Sequence, residues 1–147
     1  MTKPKRKKPF AATRASTKML EADGWTVGTV EQRIPHCFIT RDFLGFADLI
    51  ACSPSRGIMA VQATGGGNLS ARAIKTRLEP RSAIWLAAGG RIQIHDWVKR
   101  KGQKQRECKV MEIQISEAEN SELRQAAEGR PIATCVRPPL CLQRMVR

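Results

Sequence analysis

Two polar residues interrupt the apolar runs of this chain. Asp48 stands inside LGFADLIAC (residues 44–52) and Gln62 inside GIMAVQA (residues 57–63). A carboxylate in a buried strand costs on the order of several kcal/mol unless it is paired, hydrogen-bonded or bound to a cation. Between the runs lies SPSR (residues 53–56), whose Pro54 and Ser55 read as a turn. A hairpin closed there brings Asp48 and Gln62 to the same end of a sheet. Thr64, two residues beyond Gln62, shares its face. Asp48, Gln62 and Thr64 are therefore expected to form one polar cluster. Two readings stand side by side: Asp48 caps a backbone turn and Gln62 bonds to it, or Asp48 binds a cation.

Several other residues lie within reach of that sheet end. Glu31, His36 and Asp42 precede the first run. His36 follows Pro35 in a loop, where a free histidine is the default and a general base the sharper alternative. Asp42, beside Arg41, reads as an exposed ion pair. Lys75, on the helix after the hairpin, is a phosphate contact or a cation reaching into the cluster. Gly65-Gly66-Gly67-Asn68 opens that helix, where backbone N–H groups can meet a phosphate. It lacks the Gly-Lys-Ser/Thr ending of a nucleotide loop and reads as a flexible rim over the cluster. In His95-Asp96-Trp97 strand alternation puts His95 and Trp97 on one face and Asp96 on the other, so no His–Asp dyad forms. Trp85 and Trp97 are assigned to the core.

The elements that must position these residues are punctuated by glycine and proline. Residues 11–23 read as a helix with a stripe at Ala12, Ala15, Met19 and Ala22, ended by Gly24. Glu21 falls opposite the stripe, as a solvated acid. Residues 25–34 are rich in β-branched side chains and read as a strand stopped by Pro35. A loop (35–43) and the hairpin follow. Asn68 is placed as the N-cap of a basic helix, 69–78, and Pro80 opens a second. Residues 91–98 and 107–115 are strands joined by a basic turn. Residues 116–128 form a short acidic helix, with Ser116 and Glu119 spaced as in a capping box. The expected fold is α/β, a mixed central β-sheet flanked by helices, in the order α-β-β-β-α-β-β. Residues 1–10 are a disordered basic arm, 11–115 the α/β domain, and 116–147 the short helix with a loosely packed tail.

Composition narrows the partner. The 147 residues carry 26 Lys+Arg against 13 Asp+Glu, a net charge of +13. A small domain with that surplus attracts polyanions, nucleic acid foremost. Aromatics are 5% with no tyrosine, which excludes a base-stacking platform. No apolar stretch is long enough to cross a membrane, and no apolar run follows the basic start, so neither a membrane span nor a secretory signal is expected. The cysteine count is odd, at 5, and no pair has CxxC spacing. A reducing, cytoplasmic setting without a disulfide framework or zinc site is the simpler expectation. Lys5, Arg6, Lys7 and Lys8 of the arm, Asn68, Arg72 and Lys75 of the helix, and Lys99, Arg100 and Lys101 of the basic turn are the candidate DNA contacts.

A helix ending in Gly-Trp, a strand, GFAD-LIA, a turn, and a strand ending at the place of acidic-x-Lys resembles the plan of the PD-(D/E)XK nuclease superfamily, in particular its Holliday junction resolvase branch. The resemblance covers residues 11–98. It places Asp48 on the family's metal-binding aspartate, and Val61-Gln62-Ala63-Thr64 on the segment that carries Glu-x-Lys. Gln62 thus stands for the carboxylate and Thr64 for the lysine, and no acid occurs near Thr13, where the branch has a glutamate. The resemblance implies a restriction-endonuclease-like core and a Mg²⁺- or Mn²⁺-dependent endodeoxyribonuclease acting on duplex or branched DNA, with a homodimer as its assembly. Asp48, Gln62 and Thr64 would be its catalytic positions. Its metal would rest on Asp48, the Gln62 amide oxygen and the Ala63 carbonyl. The alternative is a relative that kept the fold and basic surface and binds nucleic acid without cleaving it.

Overall fold

The computed structural model describes residues 10–36, 39–129 and 145–146. The arm residues Lys5, Arg6, Lys7 and Lys8 lie outside this range. The elements are α1 (Ala12–Ala22), β1 (Thr26–Thr29), β2 (Gln32–Arg33), β3 (Thr40–Arg41), β4 (Leu49–Ser53), β5 (Gly57–Gly65), α2 (Leu69–Leu78), α3 (Pro80–Ala87), β6 (Arg91–Val98), β7 (Glu107–Ile113), α4 (Glu117–Ala127) and β8 (Met145–Val146). The main sheet runs β1-β4-β5-β6-β7-β8. Only β5 and β6 pair in parallel, and α2 and α3 form the crossover between them. This is the expected mixed α/β sheet with helices on its faces. No helix among the described residues is long and apolar enough to cross a membrane.

Strand alternation divides the core into two layers. One face of the sheet buries Leu49, Ala51, Met59 and Val61 against Leu20 of α1 and Trp25. The other buries Ala60, Ile92, Ile94 and Ile113 against Phe46, Ala47, and Leu69 and Ala73 of α2. Each large side chain fully withdrawn from water, such as Phe46 or Ile94, contributes about 1.5–3 kcal/mol. Gln62 and Thr64 alternate with Val61 and Ala63, so they lie on the α2 face.

Three local expectations are corrected. The buried line of α1 is Ser16 and Leu20, while Ala22 is exposed. Leu20 is the helix's bulkiest aliphatic side chain, and Ser16 can be buried because its Oγ accepts from Trp97 Nε1 at 2.9 Å. The strand expected over 25–34 is split. The Val30 and Glu31 amides donate to the Asp48 carbonyl (2.9 and 3.3 Å), and the chain then leaves the sheet into the separate β2–β3 ribbon. That ribbon takes Thr40 and Arg41 out of the expected loop. In the tail, Met145–Val146 pairs with β7. At α4, Ser116 Oγ accepts from the Glu119 amide at 3.2 Å, one half of a capping box.

A tight turn precedes β4. Phe43 and Ala47 form an isolated antiparallel bridge around Leu44, Gly45 and Phe46. Gly45 has φ +78°, and a Cβ there would lie 2.7 Å from Glu79 Oε2 and 2.8 Å from Arg81 Nη2. The left-handed backbone favours glycine, and a Cβ would also make the ends of the Glu79 and Arg81 side chains shift. Gly45→Ala is expected to lower stability by about 1–2 kcal/mol in urea unfolding. An unchanged midpoint would contradict the turn's geometry.

Candidate metal centre

Asp48 is the residue on which three segments converge. Its carbonyl accepts from Val30 and Glu31, and its own amide donates to the Val61 carbonyl at 2.9 Å. The first pair of bonds brings Glu31 alongside. The Phe43–Ala47 bridge places Asp42 and Asp48 at its two flanks. One carboxylate oxygen from each of Glu31, Asp42 and Asp48 lies within 4.8 Å of the others, with Glu31 exposed, Asp42 half-buried and Asp48 buried. These three acidic residues could hold a metal ion. Hard oxygen donors at this spacing suit a divalent cation such as Mg²⁺ or Mn²⁺.

The Asp48 side chain is oriented by β5. Its Oδ2 accepts from Gln62 Nε2 and from the Ala63 amide, both at 2.8 Å. Among the described residues Oδ1 accepts no hydrogen bond. Burial pushes the Asp48 pKa up from 3.8 to about 6; the Asp42 and Glu31 charges add to the rise, and the Ala63 and Gln62 bonds oppose it. The expected pairing of Asp48 with Gln62 is thus present. Thr64 shares the Gln62 face, buried and in register with Asp96 of β6. Ala63 enters through its backbone, with its amide on Asp48.

The basic candidates border this cluster. Lys75 Nζ lies 3.6 Å from Asp42 Oδ2, so the Asp42 ion pair is with Lys75. Asn68 is exposed and donates to the Gly65 carbonyl at 3.0 Å; Arg72 is half-buried on the first turns of α2. Lys99, Arg100 and Lys101 are exposed just past β6, whose Trp97 is in register with Gly65. They leave the sheet at the end that carries Thr64. Arg100 also pairs with Glu107 at 2.9 Å. His36 is exposed in a turn with φ 67° and is not part of the acidic cluster.

The sequence reading set Asp96 on the face opposite His95 and gave it no role; it lies on the Gln62 and Thr64 face. It is 1% exposed; its Oδ1 accepts from the Gly67 amide at 3.2 Å, and its Oδ2 has no partner among the described residues. The signal was available, since Asp96 shares the strand face of Ile92 and Ile94, which line the core. With Gly67 committed to Asp96 and the Gly66 amide to the Trp97 carbonyl at 3.4 Å, the glycine run is a braced rim. On the opposite face His95 is fully buried, and burial lowers its pKa to about 4, so it is neutral at physiological pH.

A raised carboxylate pKa carries a sign for stability. Below about pH 4 Asp48 is protonated in both folded and unfolded chains. Between 3.8 and about 6 the unfolded chain ionises first, so stability falls as pH rises, by roughly 2–3 kcal/mol. Asp48→Asn keeps an acceptor for the Ala63 amide without the charge. It is expected to raise the unfolding free energy at pH 7.5 by that amount and to bring no gain at pH 4; no gain at either pH would contradict the burial argument. Comparison with models of protein families, with curated proteins and with solved structures finds no match for this chain, so the chemistry of the site is read from its own geometry.

Proposed function

We propose that this chain is a DNA-binding, Mg²⁺- or Mn²⁺-dependent endodeoxyribonuclease of the PD-(D/E)XK kind. The observation that carries the proposal is the convergence of Glu31, Asp42 and Asp48 on one sheet end. In a chain of net charge +13, three neighbouring carboxylates are unusual company, and a divalent cation is their natural complement. Such a cation neutralises charge on a phosphodiester and lowers the pKa of a bound water. Asp48 supplies the buried charge, and Asp42 and Glu31 supply the carboxylates that Gln62 does not. Gln62 orients Asp48, while its Oε1 and the Ala63 carbonyl are the further oxygen donors that the resemblance adds. Lys75 brings an ammonium to the cluster from α2 and takes the place of the lysine that Thr64 replaces. Asn68, Arg72 and the Lys99–Lys101 turn supply phosphate contacts beside it. Duplex or branched DNA is the substrate class, and a homodimer the assembly, that the resemblance implies.

A second reading has its own observation. Gln62 and Ala63 both bond the same oxygen of Asp48, an arrangement that also satisfies a purely structural carboxylate. On that reading the protein binds nucleic acid and does not cut it.

Cleavage assays separate the two. Labelled duplex, single-stranded and four-way DNA are incubated with Mg²⁺ or Mn²⁺ and with wild type, Asp48→Ala, Asp42→Ala and Lys75→Ala. Cleavage by wild type, abolished in Asp48→Ala and reduced roughly 100-fold in Lys75→Ala, is the expected outcome. DNA affinity should be unchanged or slightly raised in Asp48→Ala, and should fall steeply with salt in every variant. An inert wild type that still binds DNA selects the binding-only reading. Equal cleavage by wild type and Asp48→Ala places the active site elsewhere.

A further inference from the structure

The helices that cover one face of the sheet leave large aliphatic side chains in water. On α2, Leu69, Ala73 and Thr76 are buried toward the sheet. Ile74 and Leu78, one turn apart, fall on the opposite side and are 59% and 73% exposed. On α3, Trp85 and Leu86 pack against the core, while Ile84 is 58% exposed. Aliphatic side chains scattered singly over a surface are ordinary, but three on two consecutive, packed helices mark an interaction face.

The charges beside this face are sorted by helix. α2 carries Arg72, Lys75 and Arg77 and no acid, whereas α4 carries Glu117, Glu119 and Glu122 against Arg124. α3 packs against both helices, and Arg124 is tied to it through the Ala87 carbonyl at 3.2 Å. Among the described residues Arg77, Glu117, Glu119 and Glu122 have no ion-pair partner. The layer thus runs from a basic helix through α3 to an acidic one, with the aliphatic side chains on the first two.

We propose that the α2–α3–α4 layer is the contact surface of a homodimer, in which a twofold axis at α3 lays α2 of each copy along α4 of the other. A twofold contact needs a patch that complements itself. A basic helix on one side of α3 and an acidic helix on the other meet that need twice over, because each sign finds its opposite in the second copy. Ile74, Leu78 and Ile84 of both copies close the centre, and Arg77, beside Ile74 on α2, meets the exposed Glu117 of the second copy at the rim. A face with both signs and bulky aliphatic side chains matches a second copy rather than DNA, whose backbone carries one sign. Lys75 keeps its contact with Asp42. The inference rests on the homodimer within the proposed function and assigns that assembly its surface.

Sedimentation equilibrium of the full chain over micromolar concentrations, without DNA, tests it. The wild type is expected to dimerise reversibly. Ile74→Ser and Leu78→Ser should each weaken dimerisation at least tenfold, the order expected for losing one large aliphatic side chain from a contact. Arg77→Glu and Glu117→Arg should each weaken it about threefold. The two together in one chain should restore it, since the pair forms again with its signs exchanged. Melting of each variant keeps a folding defect from standing in for lost contact. A wild type that stays monomeric overturns the inference, and one that instead binds phosphatidylglycerol vesicles through Leu78 gives the face to a lipid surface. A dimer indifferent to the serine variants and to the charge exchange is built elsewhere and overturns it as well. DNA binding and cleavage measured on the same monomeric or dimeric protein report separately on the rest of the proposed function.

Discussion

The structure depends on one carboxylate kept almost dry. Asp48 is joined to β5 through its amide and to the end of β1 through its carbonyl, and its side chain is clamped by Gln62 and Ala63. Those backbone bonds do more than fix the aspartate. They end β1, turn the chain out into the β2–β3 ribbon, and bring Glu31 beside the site. The short Phe43–Ala47 bridge then returns Asp42. A charge in that position opposes folding, as its raised pKa records. With two further acids at its side, this cluster carries a stability cost, which the proposed metal-binding role would account for.

The surroundings of the cluster are of the opposite sign. Lys75 contacts Asp42, and α2 and the Lys99–Lys101 turn carry further cations. Most of the surface ion pairs, such as Arg100–Glu107, are exposed and add little to stability. On the reading proposed above, the cations in excess of the acids meet DNA phosphates. Acid at the centre and base around it is what a cation-assisted reaction on a polyanion requires. Asp96 belongs to the same face, one strand over, and braces the glycine rim through Gly67. The rim and α2 are thus held in a defined position relative to Asp48.

Much of this fold was legible because its boundaries are chemical. Gly24 ends α1, Pro80 opens α3, and α2 and β6 occupy residues 69–78 and 91–98 as their patterns indicate. The Asp48–Gln62 contact was legible because each residue breaks an apolar run and a short turn joins the runs. The phase of α1 was misread because alanines mark its surface weakly, whereas Leu20 and a hydrogen-bonded Ser16 decide its orientation. The acidic company of Asp48 was only half visible. Glu31 and Asp42 were within conceivable reach, but backbone bonds between distant segments bring them in, and those leave no periodic trace in side-chain type. The resemblance directs attention to Gln62 and Thr64, whereas the acids near Asp48 and the cation near Asp42 come from other segments.

The central claim is that Glu31, Asp42 and Asp48 together bind a divalent cation. Calorimetric titration of Mn²⁺ into the apo protein at pH 7.5 tests it without any assumption about substrate. One ion per chain is expected, with binding weakened as pH falls through 6 because Asp48 must give up its proton. Asp48→Asn should abolish it, and Asp42→Asn should weaken it at least tenfold, the order expected for losing one charged ligand. Stoichiometric Mn²⁺ binding that survives Asp48→Asn unchanged, or no binding by the wild type at millimolar Mn²⁺, would contradict the claim.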